Sequence, residues 1–449
     1  MKSGKTLASL AIAGALALGM AGCGGGTPGP STTPTDSSTA PATSAAPTPV
    51  SLTMSGWSLS TTPEFQKLVD AYTAKHSNVT ITIKEYDAST YENLMLTDMT
   101  AKAAPDIITI KQAKYTYQWA TGKQLMDVSD VVKKLPAAVT GAASYTVNNV
   151  NYGVPYRQDS WLLFYDKDLF DKAGVAIPDG KWTWEDYVAT AKELTTKLAA
   201  AGVDAKGAYE HSWQSTLQGF ANAQAGDNTN PAGKYFSGDY SYMLAYYQRA
   251  LDLQDSGAQV MYGDISTNKL TYQAQFGKQS AAMMLMGSWY IATLVSQQKS
   301  GDANAFTWGL APAPQVDSST VNMPVTFGDP TGMGINANID PAKVATAKDF
   351  LAFVASEEAA KTLAGIGITP AMSSDAVTSA VFAGAGTPTD ALSKTAFQTH
   401  KTYPENPVGE IQMNISTVLG QAHSDIMSES KAAQAALEEA GTKVKNKDW

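Results

Sequence analysis

The sequence predicts an α/β protein of two lobes, and three observations carry that expectation. Strand and helix patterns alternate from the first folded residues onward, as in βαβ units. A second α/β set opens near Leu162, well after the first has begun. The segment from Ser51 to Trp449 holds 399 residues, more than one hydrophobic core usually serves.

Leu52-Thr53-Met54 is a short strand, after which Thr61 and Glu64 have the spacing of a capping box, with Pro63 in the first turn of a helix. Phe65, Leu68, Val69 and Tyr72 recur at i, i+3, i+4 and i+7 and give that helix one apolar face. Val79, Ile81 and Ile83 alternate as a strand, so parallel pairing with a right-handed crossover is expected. Ser89 and Glu92 cap a further helix carrying Leu94, Met95 and Met99. Pro105 stops it, and Asp106-Ile107-Ile108-Thr109-Ile110 reads as a buried strand.

The second set begins with the strand Leu162 to Tyr165. A helix capped at Thr183 follows, with Trp184, Tyr187, Val188, Ala191 and Leu198 on its inner face and Gly202 at its close. Strands are expected at Ala281 to Met286 and Thr326 to Ile335, and helices near Tyr290 to Gln298 and Pro341 to Ala355. The chain after Thr369 reads as wholly helical.

The N-terminus is not part of this fold. Lys2 and Lys5 precede a run of small and apolar residues from Leu7 to Ala21, which reads as a secretory signal peptide over residues 1–22. The run falls short of the roughly 20 apolar residues of a membrane span. Met20-Ala21-Gly22-Cys23 resembles the bacterial lipobox, with Met20 where Leu is usual, and Cys23 is the only cysteine of the chain. A single thiol cannot form an internal disulfide. Cys23 is therefore expected to carry a lipid with acyl chains of the palmitate type, two such chains being enough for stable attachment. The competing reading is an ordinary signal with a bystander cysteine. Residues 23–50 continue as a Gly, Thr, Ser, Pro and Ala tether with one charge, at Asp36. Flexible, it would reach roughly 30 Å.

Cleavage of the signal removes two lysines and leaves 30 basic against 41 acidic residues, a net charge of −11. Nucleic acid and polyanions are poor partners for such a surface. Only 16% of residues are charged, against about 25% in typical proteins. Nine Trp and 20 Tyr are present, a supply that suits an uncharged, hydroxylated ligand. The four histidines show no metal-ligand spacing, no Gly-x-Ser-x-Gly elbow occurs, and no cofactor motif appears outside the decoy Gly4-Lys5-Thr6 in the signal.

Several stretches together resemble the extracellular solute-binding proteins of bacterial carbohydrate ABC importers, the maltose-binding-protein-like family. They are Ala104-Pro105-Asp106-Ile107-Ile108, Tyr152-Gly153-Val154-Pro155-Tyr156, Leu163 to Phe170, Ala281 to Met284 leading to Gly287-Ser288-Trp289, Gly309 to Pro314, and Phe350 to Glu358. The resemblance implies a periplasmic-binding-protein-like (Venus flytrap) fold with discontinuous lobes, 51–158 plus 326–370 and 159–325 plus 371–449. Hinge crossings are expected near Arg157 to Ser160, Met323 to Phe327 and Thr369 to Met372. It further implies a monomeric receptor, not an enzyme, on the extracellular face of the cell membrane. That receptor would capture a sugar, an oligosaccharide by expectation, and deliver it to permease subunits.

Sugar rings offer flat C–H faces to aromatic rings and hydroxyl edges to hydrogen-bonding groups. Trp289, in Gly-Ser-Trp, matches a stacking position of the family, and Asp159 matches an acidic hinge residue that accepts from sugar hydroxyls, its bland alternative being a salt bridge to Arg157. Trp57 follows the first strand, where parallel strands end in a crevice. Trp213 lies on a loop of the second lobe, Asp329 borders the second crossing, and Lys111 and Gln112 match a loop that reaches ligand in the family. Trp119, Trp182, Trp184 and Trp308 read as core. Two rival classes remain. One is a binding protein for a polyamine, peptide or iron complex; the other is a surface glycoside hydrolase, which would need two carboxylates roughly 5 to 9 Å apart across a cleft.

Overall fold

A computed structural model describes residues 48–449 apart from 61–62, 226–230 and 406. The signal peptide, Cys23, nearly all of the tether and Thr61 lie outside the described residues.

The strands in chain order are β1 (Val50–Trp57), β2 (Val79–Tyr86), β3 (Ile107–Ile110), the short pair β4 (Thr146–Val147) and β5 (Val150–Asn151), then β6 (Val154–Gln158) and β7 (Trp161–Asp166). β8 (Lys206–Tyr209), β9 (Ala281–Gly287) and β10 (Trp308–Ala311) follow, and β11 (Val325–Phe327), β12 (Pro330–Ile335) and β13 (Lys401–Tyr403) are the last. Two main sheets result, a five-stranded one in the order β2-β1-β3-β12-β6 and a four-stranded one in the order β10-β7-β9-β8.

In the first sheet β1 is parallel to β2 and β3, as the βαβ pattern requires, while β12 runs antiparallel to β3 and β6. Every residue of β3 is buried, which explains its unbroken run of apolar residues and Thr109. β2 is an edge strand, and its alternating Val79, Ile81 and Ile83 reflect one covered face. In the second sheet the central β9 is buried along its whole length. Each sheet carries its own core. Phe65, Leu68, Ile107, Ile108, Met333 and Phe350 belong to one, and Phe164, Tyr187, Met284, Leu294 and Leu310 belong to the other.

The chain leaves one core for the other where β6 gives way to β7, at Asp159-Ser160, and again where β11, which pairs with β13 and packs in the second core, gives way to β12, at Gly328-Asp329. The second passage lies just beyond the expected Met323 to Phe327. Alongside β6, Gln158 N donates to Thr369 O at 3.1 Å and Ala371 N to Tyr156 O at 3.0 Å, so a third segment runs beside the first.

Six local expectations need correction. Glu64 does not cap the helix Glu64–Thr73; its carboxylate is buried and accepts from Tyr156 and Arg157 instead. The turn before the helix Tyr91–Thr100 is organised by Asp87, whose Oδ1 accepts from Ser89 and Thr90, rather than by Ser89 and Glu92. Leu94 is 42% exposed, since the inner face of that helix is formed by Tyr91, Met95 and Met99. The strand expected from Thr326 to Ile335 is broken at Gly328-Asp329, because its two halves pair with different partners, β13 and the first sheet. The tail is not wholly helical, since β13 is the strand that pairs with β11, and the helix Asp375–Phe382, expected with the second lobe, packs on Glu357–Ala364 of the first. The helix Trp184–Ala200, by contrast, has the expected cap at Thr183, with Asp186 completing a capping box.

Gly207 in β8 is required by close packing. A Cβ placed there would stand 1.8 Å from the Ala191 carbonyl oxygen of the covering helix. Gly207→Ala should therefore force helix and sheet apart and lower unfolding free energy by about 1 to 3 kcal/mol, read as a lower urea midpoint; an unchanged midpoint would refute this packing.

Candidate functional site

The first passage between the sheets is built around one cation. Arg157 ends in a side chain only 13% exposed, and its Nη1 donates to Glu64 Oε2 at 2.8 Å while its Nε donates to Asp159 Oδ2 at 2.5 Å. Glu64 belongs to the first lobe, where Tyr156 OH also donates to its Oε1 at 2.8 Å. Asp159 is 3% exposed and reaches the second lobe, accepting from Ser288 Oγ at 2.9 Å. Ser288 in turn accepts from Thr369 Oγ1 at 2.8 Å on the third segment. Burial alone would weaken the guanidinium's hold on its proton. The Asp159 and Glu64 carboxylates outweigh burial and keep its pKa well above the ordinary value.

On the first-lobe side, Trp57 stands at the end of β1 and Lys111 directly after β3, so adjacent parallel strands deliver them together. The Lys111 ammonium lies 5.5 Å from the Trp57 ring centroid, within cation–π range, and donates to the Ala88 carbonyl. Trp57 is only 8% exposed, its ring meeting the edges of Phe65 at 4.8 Å and Tyr91 at 5.1 Å, so most of it serves the first core. Burial lowers the pKa of Lys111, and Arg157 adds to that effect. Gln112 is half-buried and opens the turn Ala113–Tyr115.

The second-lobe side is an aromatic wall. Trp289 follows β9 and is half-buried, with its ring edge-on to Trp161 at 5.7 Å and its Nε1 donating to Tyr272 OH at 3.3 Å. Tyr272 meets Trp213 at 5.5 Å and His211 at 5.6 Å, and His211 meets Trp213 at 4.6 Å. Trp213 is 40% exposed, an unusual outlay of apolar surface for so large a ring. Burial pulls His211 down to about 4, so its ring is neutral at neutral pH, with Nδ1 paired to Tyr209 OH at 2.8 Å. The wall and the passage are electrostatically connected, since Arg157 and Asp159 both act on the Tyr272 hydroxyl, whose pKa is raised chiefly by burial.

Of the predicted residues, the structure thus pairs Trp57 with Lys111, sets Asp159 beside the residue preceding Trp289, and joins Trp289 to Trp213 through Tyr272. Asp159 also makes the salt bridge to Arg157 that was its bland alternative. Asp329 stands at the second passage, where its Oδ1 accepts from the Glu405 backbone N–H at 2.8 Å and so ties that passage to the chain after β13. Trp119, Trp184 and Trp308 are buried and Trp182 is partly so. Sequence reasoning named Arg157 as the salt-bridge partner of Asp159, and missed Tyr272, His211 and Glu64 as participants. The one signal available for Tyr272 was its place directly after Thr271, which caps the helix Tyr272–Gly277. Among the described residues no group of acidic, histidine or cysteine side chains could hold a metal, and no helix is long and apolar enough to cross a membrane.

Removing the central cation would leave two buried carboxylates facing each other uncompensated. Arg157→Met is expected to lower unfolding free energy by about 3 to 5 kcal/mol, measured by urea denaturation at pH 7. A loss below about 1 kcal/mol would show the network to be solvated like a surface pair.

Comparison with known proteins supplies the family. Residues 58–361 match the family profile described as bacterial extracellular solute-binding protein. A sugar transporter from Rhizobium etli, solved in an open conformation, is 30% identical and superposes with a TM-score of 0.74 over 88% of this chain and 99% of that one. An ABC substrate-binding protein from Listeria monocytogenes, solved in complex with cycloalternan, shares the fold at 19% identity, with a TM-score of 0.73 over 88% of this chain and 98% of that one. An arabinooligosaccharide-binding protein of Halalkalibacterium halodurans is 27% identical over 109 residues, so the match spans only 24% of each chain. The fold is the two-lobed α/β architecture of periplasmic binding proteins, and the chain belongs to the bacterial extracellular solute-binding protein family.

Proposed function

We propose that this protein is the lipid-anchored receptor of a carbohydrate ABC importer, one that captures a sugar between its lobes and hands it to permease subunits. The observation that carries the reading is the aromatic wall of Trp289, Tyr272, His211 and Trp213 beside a buried carboxylate at the passage between sheets. Such a wall stacks on the C–H face of a sugar ring, and neutral polar edges meet its hydroxyls. A carboxylate offers about four acceptor sites. Arg157 and Ser288 engage Asp159 through one oxygen each, so acceptor capacity remains for a hydroxyl. The names of the Rhizobium, Listeria and Halalkalibacterium proteins, sugar transporter, cycloalternan complex and arabinooligosaccharide-binding protein, point the same way.

A polyamine would meet the Lys111 cation over the Trp57 ring, while the Arg157 charge is already matched by Asp159 and Glu64. In the proposed cycle Trp57, Lys111 and Gln112 approach from the first lobe, and Trp213, Trp289 and Asp159 from the second, with Asp329 at the passage. A ligand that touches both sides favours the closed arrangement by its differential contacts. The lobes proposed are 51–158 plus 326–370 and 159–325 plus 371–449, with the helix Asp375–Phe382 remaining on the first. Cys23 and the tether would hold the receptor monomer at the extracellular face of the membrane, raising its effective concentration near the permease.

Two measurements test this. Titration of the unanchored Cys23→Ala protein against mono- and oligosaccharides should find one bound and recovered intact, with affinity reduced about tenfold or more in Trp289→Ala, the scale of a lost aromatic anchor. Silence across the panel, or cleavage of the sugar, would overturn the reading. In the producing cell, Cys23→Ala should move the protein from the membrane fraction to the medium with its affinity unchanged, whereas an unaltered membrane fraction would remove the anchor.

A further inference from the structure

The loop from Glu210 to Gln214 presents His211 and Trp213, and it has no regular structure of its own between β8 and the helix Ser215–Gln224. Its three successive carbonyls are nonetheless all engaged. Thr216 Oγ1 donates to His211 O at 3.2 Å and to Trp213 O at 2.7 Å, from within the same segment. The middle one, Ser212 O, is bonded at 3.1 Å by His423 Nε2, on the helix Gln412–Met427 far along the chain.

That helix meets the loop along one stripe. Ser416 Oγ accepts from Gln214 Nε2 at 3.3 Å, and Gly420 faces the same side chain so closely that a Cβ would stand 2.7 Å from Gln214 Oε1. Ser416, Gly420 and His423 are spaced four and three residues apart, hence on one helical face. His423 is itself fixed in position. A carbonyl only accepts, so Nε2 carries the proton, and the neutral ring leaves Nδ1 to accept from Tyr247 OH at 3.2 Å. Tyr247 takes a bond from Gln218 Nε2 at 2.8 Å, and Gln218 also donates to Leu419 O at 2.9 Å, back on the same helix. Burial holds His423 down at about 4, which keeps the ring neutral at neutral pH, and the Ser212 carbonyl selects the tautomer.

We infer that His423 is a positioning residue for the ligand cleft, setting through the Ser212 carbonyl where the loop places Trp213. This rests on the carbohydrate reading for its consequence in binding, but the bracing itself has a readout that needs no ligand. Hydrogen exchange at the Thr216 and Leu217 amides, which bond to Trp213 O and Gln214 O, should quicken about tenfold in His423→Leu, the effect of one lost hydrogen bond. It should return toward wild type in His423→Gln, whose amide can still donate to Ser212. Unchanged exchange in His423→Leu overturns the inference, whatever the protein binds.

With the best sugar of the panel, His423→Leu should weaken binding about tenfold and add nothing when Trp213 is already Ala. An equal loss in the Trp213→Ala background would mean that His423 acts elsewhere and would also overturn it. Gly420→Ala, which keeps every bond of His423 but crowds Gln214, should weaken the same sugar, and full affinity in that variant would count against the stripe as the bracing face. A wild-type protein that binds no sugar refutes only the carbohydrate reading, and the exchange result then decides the bracing.

Discussion

The two halves of this molecule meet around a single guanidinium. Arg157 sits where the chain leaves the first sheet, and it is held by a carboxylate from each side, Glu64 from the first lobe and Asp159 at the start of the second. Two carboxylates in so enclosed a place would repel strongly, and one cation between them makes the arrangement stable. The remaining bonds extend the same logic. Tyr156 completes the coordination of Glu64, Ser288 that of Asp159, and Thr369 brings in the third segment. The site described above is assembled on this junction, since Trp289 is the next residue after Ser288 and Lys111 lies within the electrostatic reach of Arg157.

The two faces of the site differ in kind. The first-lobe side offers a cation over a mostly buried indole, delivered by the neighbouring parallel strands β1 and β3. The second-lobe side offers edges and exposed rings, carried partly by a loop that owes its shape to the C-terminal helices. The tail of the chain is thus more than a cover for the second core. Its helix Gln412–Met427 contributes hydrogen bonds to the segment that bears the most exposed of the site's aromatics.

The parts legible in sequence are those governed by neighbours along the chain. The helix from Glu64 to Thr73 showed its buried face through Phe65, Leu68, Val69 and Tyr72, and β3 through an apolar run that only a strand covered on both faces needs. Trp289 and Asp159 could be singled out because short motifs surround them. Long-range partnerships left no such trace. The Thr61 to Glu64 spacing fits a local cap, yet Glu64 is claimed by Arg157, 93 residues away. The strand after Thr326 looks continuous in composition, and its break at Gly328 follows only from the need to change sheets. Tyr272 offered only its place after the cap Thr271, and His423 no pattern at all, since each matters through contacts with residues that are distant in the chain.

Gly328 gives the passages a property that neither has alone. Its missing side chain lets the second passage lie against the first so closely that a Cβ would stand 2.0 Å from the Asp159 carbonyl oxygen. Gln158 Nε2 donates to both backbones, to Asp159 O at 3.0 Å and to Gly328 O at 3.3 Å. Two ribbons fastened at the same height cannot twist independently; turning one drags the other. In the proposed closure of the lobes, that bond would make the two passages turn together as a single axle.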